Sequence, residues 1–214
     1  MSDALTPVGV FGGTFNPVHY GHLRSALELV ERLGLEHLRL MPCAAPPHRE
    51  APDCSAAHRA AMVELAVREE PLLRCDPREL RRKGPSYTID SLEELSGELG
   101  DAYSLCLVMG CDAILKLDTW HRWRELLDVA HVVILTRPGW HLPDTGLVAD
   151  WLTLHRTDAH ENLRRRRHGS VFVEELRPLP ISATEIRELL HSGRSARYLL
   201  PEQVLNYIET HALY

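Results

Sequence analysis

Short apolar runs bounded by glycine and proline alternate along this chain with stretches whose apolar residues recur every three or four positions. Val8-Gly9-Val10-Phe11 is the first run, and Gly12-Gly13 ends it. Leu23, Ala26, Leu27, Val30 and Leu33 then share one face at the spacing of a helix. His37 to Met41 reads as the next strand, stopped by Pro42. Ser55 is placed to cap a helix reaching about Arg68, with Ala61, Leu65 and Ala66 turned inward. A weak strand is expected at 72–75, and a helix at 88–99 with Ile89, Leu92 and Leu95 in register. Three further runs, at 103–109, 131–135 and 171–176, read as buried strands; Gly110 ends the first and Arg137-Pro138-Gly139 the second. Two helices complete the pattern: 182–191, closed by Gly193, and 201–211, where Pro201 starts a helix without giving up a needed N–H.

Strands alternating with helices imply an α/β protein, a doubly wound parallel sheet with helices on both faces. The 214 residues suffice for one well-buried domain and are tight for two. A single domain over 1–214 is expected, its C-terminal helices (about 182–212) lying on the sheet. In such sheets ligands bind beyond the carboxyl ends of the strands. The chemically suggestive residues fall there: after the first strand, after Met109, and before the helix at 182. Residues 140–170 carry no recognisable motif. Arg164 to His168 reads as a solvated loop and not a nucleic-acid patch, since no aromatic residue is interleaved with the arginines.

Composition narrows the function classes. The net charge of -6 provides no global basic field for nucleic acid or an anionic membrane, so neither is expected as a partner, and an anionic ligand would need local cations. The N-terminal residues lack the pattern of a secretory signal, and no apolar run is long enough to span a bilayer. Five scattered cysteines without a C-x-x-C pair suit a reducing compartment, and a cytoplasmic location is expected. The 13 histidines are dispersed apart from His19 and His22, which argues against a histidine-rich metal protein, and no protein metal site is expected. Oligomeric state stays open, a homo-oligomer included.

The densest chemistry lies in GGTFNPVHYGH, residues 12–22, between a strand and an amphipathic helix. Gly12 and Gly13 let a phosphate or ribose approach the backbone closely. Tyr20-Gly21 falls near a helix start, where free N–H groups and the dipole favour anions. His19 and His22, three apart, share one side of a first turn and can donate to phosphate oxygens. The second cluster is ISATEIR, residues 181–187: Ser182 and Glu185 form a capping box, while Thr184 and Arg187 suit an anion. Gly110-Cys111-Asp112 follows the strongest strand, with Trp120 and Trp123 beyond it; Trp123 reads as a packing residue. The stretch 83–92 is a turn entering a helix in which Thr88 or Asp90 could serve as a cap. Pro46-Pro47-His48-Arg49 is a stiff loop offering a bidentate cation.

His19-Tyr20-Gly21-His22 resembles the (Thr/His)-x-Gly-His signature of the nucleotidylyltransferase superfamily, whose members build it on a Rossmann-like sheet. The segments at 181–187, 110–112 and 83–92 resemble the further motifs of its nicotinate-nucleotide branch. The resemblance implies that His19, His22 and Arg187 act on phosphates during catalysis. It implies ATP contacts at Gly12, Gly13, Thr14, Phe15, Gly110, Asp112, Ser182 and Thr184. Acceptor contacts are implied at Arg49, Thr88 (nicotinate carboxylate) and Trp120 (pyridine ring), although His121 stands where close relatives often carry a second aromatic residue. The implied reaction is adenylyl transfer from ATP to nicotinate mononucleotide, a step of NAD biosynthesis that yields nicotinate adenine dinucleotide and pyrophosphate, with Mg2+ carried by the ATP. Other readings are a transferase for phosphopantetheine or a sugar phosphate, and a nucleotide-binding regulator without chemistry. A class I aminoacyl-tRNA synthetase shares the histidine motif, but this chain is too short and lacks an anticodon-binding domain.

Overall fold

The computed structural model describes residues 4–44, 54–82, 84–136, 139–177 and 179–214. Six strands form one sheet: β1 (Thr6–Gly13), β2 (Leu38–Pro42), β3 (Leu73–Cys75), β4 (Tyr103–Gly110), β5 (His131–Thr136) and β6 (Val171–Glu175). Every pairing is parallel, and the order is β3-β2-β1-β4-β5-β6. This is the doubly wound Rossmann order, with its reversal between β1 and β4. Gly13 pairs with Pro42 at one side of that reversal, and Phe11 with Val108 at the other. The glycine ends of β1 and β4 therefore open side by side on the carboxyl edge.

Period-two alternation sorts the strand residues onto two cores. Val8 and Val10 of β1, with Leu105, Leu107 and Met109 of β4, face one side. There they meet α3 (Thr88–Leu99), the short α4 (Cys111–Ile114) and α5 (Leu126–Val129), and α6 (Leu147–His155). Cys106 and Val108 face the other side, toward α1 (Tyr20–Leu33), α2 (Ala56–Val67), α7 (Asn162–Arg165), α8 (Ala183–His191) and α9 (Glu202–Thr210). The terminal helices α8 and α9 thus lie on the sheet as expected.

Helix α1 starts at Tyr20, where a helix start was expected, one turn before its apolar periodicity. Three other expectations shift. Helix α2 buries Arg59, Ala60, Met62, Val63 and Val67, so Ala61, Leu65 and Ala66 sit only at the edge of its inner face. The motif-free region 140–170 contains α6, which buries Val148, Ala149, Trp151 and Leu152. The arginine run is structural. Arg164 Nη2 donates to the carbonyl of Gly34 (2.7 Å), just past the end of α1, and Arg167 pairs with Asp101 and reaches Ser96 Oγ at 3.2 Å. Those side chains fasten the strand connections on the sheet edge opposite the cleft.

Candidate active site

The first turn of α1 is built around two imidazoles. His19 is the residue before the helix, in an extended conformation (φ -148°, ψ 171°), and accepts the N–H groups of His22 (2.9 Å) and Leu23 (3.2 Å) on its carbonyl. Tyr20 N–H is engaged by Leu199 O at 3.0 Å. Of the first helical N–H groups, Gly21's alone is left for a ligand, fewer than the helix start suggested. The rings of His19 and His22 lie 3.8 Å apart at 31°. Gly21 permits this: a Cβ there would fall 2.9 Å from both Cε1 and Nδ1 of His19.

Phe15 supports the pair from below. Its ring meets His22 edge-on at 5.1 Å and Phe11 at 5.9 Å, and only 2% of the residue is exposed. The Phe15 side chain is core, so the nucleotide contact expected at this residue would fall to its backbone (φ 47°). Burial lowers the His19 pKa to about 4 and that of His22 to about 3, where the neighbouring His19 also contributes. Both rings are neutral at pH 7. The Nδ1 atoms of both are buried without a hydrogen-bond partner among the described residues. Buried polar atoms left unpaired are costly, so two adjacent ones mark a place where a ligand belongs.

Helix α8 comes up beside this turn. The same Cβ on Gly21 would be 3.4 Å from the carbonyl of Ile181. Ser182 caps α8 by accepting the Thr184 N–H at 3.2 Å, so the cap closes two residues on and not at Glu185. Arg187 donates to the carbonyl of Asn16 (2.8 Å) and to Thr184 Oγ1 (3.4 Å). Asn16, which had no expected role, also accepts from the Tyr214 hydroxyl on its side chain. Thr184 is exposed and Arg187 half-buried, which leaves their remaining donors accessible.

Beyond the strand ends lies a cavity of about 550 Å3, lined on one side by Gly12, Gly13, Thr14 and Cys43 and on the other by Gly110 and Asp112. Tyr87, Thr88, Trp120 and His121 form its far wall. A Cβ on Gly12 or Gly110 would meet nothing within 4 Å, so internal packing does not require glycine at either position. Thr88 is the first residue of α3 and Tyr87 precedes it without a side-chain cap, so the capping alternative for Thr88 is set aside. The Tyr87 and His121 rings stack at 4.3 Å, and His121 thus closes the wall beside Trp120. Trp123 is 6% exposed and packs edge-on against Trp151, a core residue as read. The sequence missed Glu79, which lines this cavity. It accepts from the Ala44 N–H (3.4 Å) and the Ser91 hydroxyl (3.3 Å), and burial raises its pKa. Nothing in its neighbourhood in sequence signals that position.

The site residues thus fall into two groups that share the segment 12–16. Gly12, Gly13, Thr14, Gly110, Asp112, Thr88 and Trp120 line the cavity. His19, His22, Ser182, Thr184 and Arg187 gather next to it, outside that lining. Arg49 lies outside the described residues. Among the described residues no group of three or more His, Cys, Asp or Glu is placed to hold a metal. None of the described helices is long and apolar enough to cross a membrane.

A paired-imidazole helix start beside a glycine-walled cleft, at the reversal point of a parallel sheet, defines a nucleotidyl-transferring α/β protein. Residues 10–189 match the family described as cytidylyltransferase-like, and the chain belongs to it, among the nicotinate-nucleotide adenylyltransferases. A relative from Aeromonas hydrophila, named "Probable nicotinate-nucleotide adenylyltransferase", is 49% identical over 208 residues, covering 97% of both chains. One of the same name from Cellvibrio japonicus is 49% identical over 207 residues, 97% of this chain and 98% of the relative. The fold is also that of the Plasmodium falciparum nicotinic acid mononucleotide adenylyltransferase complexed with NaAD. That likeness has a TM-score of 0.72 at 15% identity, over 98% of this chain and 97% of the other.

Proposed function

We propose that the chain transfers the adenylyl group of ATP to nicotinate mononucleotide, releasing pyrophosphate, with the two groups of residues dividing the work. The observation that carries the assignment is the pair of buried, unpartnered ring nitrogens on His19 and His22. ATP lies along segment 12–16, its phosphates against His19, His22, Thr184 and Arg187, and its nucleoside end toward Gly110 and Asp112. The acceptor occupies the far wall, its ring against Trp120 and its carboxylate at Thr88, with Arg49 meeting its phosphate. The 5′-phosphate of the acceptor attacks the α-phosphorus in line; the P–O bond to pyrophosphate breaks, and the negative charge leaves with it. A phosphate monoester is already anionic near neutral pH, so no strong general base is needed. Catalysis consists of positioning and of donors aimed at charge that grows on the phosphoryl oxygens. Magnesium, when bound with ATP, would shield phosphate charge. Its ligands would be mainly phosphate oxygens and water. We place the activity in the cytoplasm, a reading supported by five cysteines held outside any disulfide.

The test is pyrophosphate release from ATP with nicotinate mononucleotide, nicotinamide mononucleotide and phosphopantetheine compared side by side. The assignment expects the first to have the highest kcat/KM. Equal constants for the first two would remove Thr88 as a carboxylate receptor, and a preference for phosphopantetheine would overturn the acceptor.

A further inference from the structure

Among the described residues Arg59 is the most deeply buried charged one, 1% exposed, on the inner face of α2. Among the described residues no carboxylate pairs with it. Its guanidinium is satisfied by backbone carbonyls: Nη1 donates to Thr14 (2.6 Å), Nη2 to Cys43 (2.7 Å) and Ala44 (3.3 Å), and Nε to Cys54 (3.3 Å). A buried guanidinium is expensive to keep, and an apolar residue would serve packing better on a face otherwise made of Ala60, Met62 and Val63.

The geometry shows what it accomplishes. In a trans peptide the N–H points opposite to the C=O of the same unit. Arg59 draws the Thr14 carbonyl inward, which turns the Phe15 N–H away from Arg59. Gly13 and Thr14 of the same segment line the cavity, and the Phe15 ring lies against His22. The same logic is visible at the neighbouring unit: with the Cys43 carbonyl drawn to Arg59, the Ala44 N–H points away and donates to the cavity residue Glu79. Phe15 also has a positive φ of 47°, an orientation that non-glycine residues adopt only when held.

We infer that Arg59 is a positioning residue for the triphosphate: acting through the Thr14 carbonyl from behind the cavity wall, it orients the Phe15 N–H as an anion donor and places a positive charge beneath the phosphates. This rests on the phosphate-site reading above, so the test separates the two. The experiment compares wild type, Arg59→Lys and Arg59→Met. It measures KM for ATP and the rise in melting temperature caused by inorganic tripolyphosphate, which needs no turnover. Arg59→Met should raise the ATP KM about tenfold and lose most of the tripolyphosphate stabilisation, the effect of removing a charge-assisted donor. Arg59→Lys keeps a cation that can reach Thr14 O and should recover to within about threefold of wild type. An Arg59→Met protein that melts lower but keeps the wild-type ATP KM and tripolyphosphate shift would show a mere brace, and overturn the inference. So would a lysine variant no better than methionine. If the methionine variant does not fold, Arg59→Gln, neutral but with donors, takes its place under the same criteria. Absence of any tripolyphosphate effect on wild type would instead refute the phosphate site itself.

Discussion

Replacing Gly21 with alanine separates stability from chemistry. The new Cβ would lie 2.9 Å from two atoms of the His19 ring and 3.4 Å from the Ile181 carbonyl. No real Cβ holds the first distance, so the imidazole must swing by several tenths of an ångström. Its displacement is limited by His22, whose ring is 3.8 Å away. Alanine favours the helix over glycine by about 1 kcal/mol, and overpacking costs about 1–3 kcal/mol. The net loss is therefore at most about 2 kcal/mol, which shifts the melting midpoint of a chain this size by no more than about 8 °C. Catalysis has less tolerance: a misplacement of about 1 Å costs on the order of 100-fold, so one of several tenths of an ångström should cost on the order of tenfold. Pyrophosphate release at saturating ATP, measured beside a thermal melt, should show a small stability change and that fall in kcat. A Gly21→Ala protein with kcat within about threefold of wild type would refute the argument that the His19 ring position is critical.

Three further outcomes are expected. His22→Ala should lower kcat by on the order of 100-fold while ATP affinity changes little; equal, modest losses in both would remove His22 from the transition state. The two imidazoles bind protons near pH 6.5 when unfolded but only at about 4 and about 3 when folded, so the unfolded state takes up more protons as pH falls below 6.5. Their contribution is complete above that pH and declines by up to about 1.4 kcal/mol per pH unit for each ring on going down toward 4. Urea titrations should show a flatter decline in the His19→Asn/His22→Asn double variant, and an unchanged slope would contradict the burial. Arg164→Ala should destabilise the fold by about 1–2 kcal/mol through the uncapped carbonyls of α1, leaving kcat per folded molecule unaltered.

Much of the sheet was readable because strands buried on both faces appear as uninterrupted apolar runs, and β4 and β5 match theirs within a residue. The spatial order was not, since alternation of strand and helix does not say where the winding reverses. The inner face of α2 was misplaced because Arg59 reads as a solvent residue until the carbonyls around it are known. Helix α6 was missed for lack of a terminal signal: glycine precedes it and no side chain caps it. In the site, residues 12–22 and 181–187 were readable because their spacing is local. Glu79, Asn16 and Arg59 owe their places to contacts with segments far along the chain or to loops whose path sequence does not reveal.

The grip on Asn16 has a consequence for how this protein comes into being. Its carbonyl waits for Arg187, 171 residues downstream, and its side chain for Tyr214, 198 residues downstream. On a ribosome adding about 5–20 residues per second, the histidine turn emerges on the order of ten to thirty seconds before its arginine partner exists. Nascent chains halted before α8 would present strands and histidines but no Arg187 to hold a triphosphate. On the phosphate role proposed for Arg187, the complete grip on a triphosphate becomes available only at the last stage of synthesis.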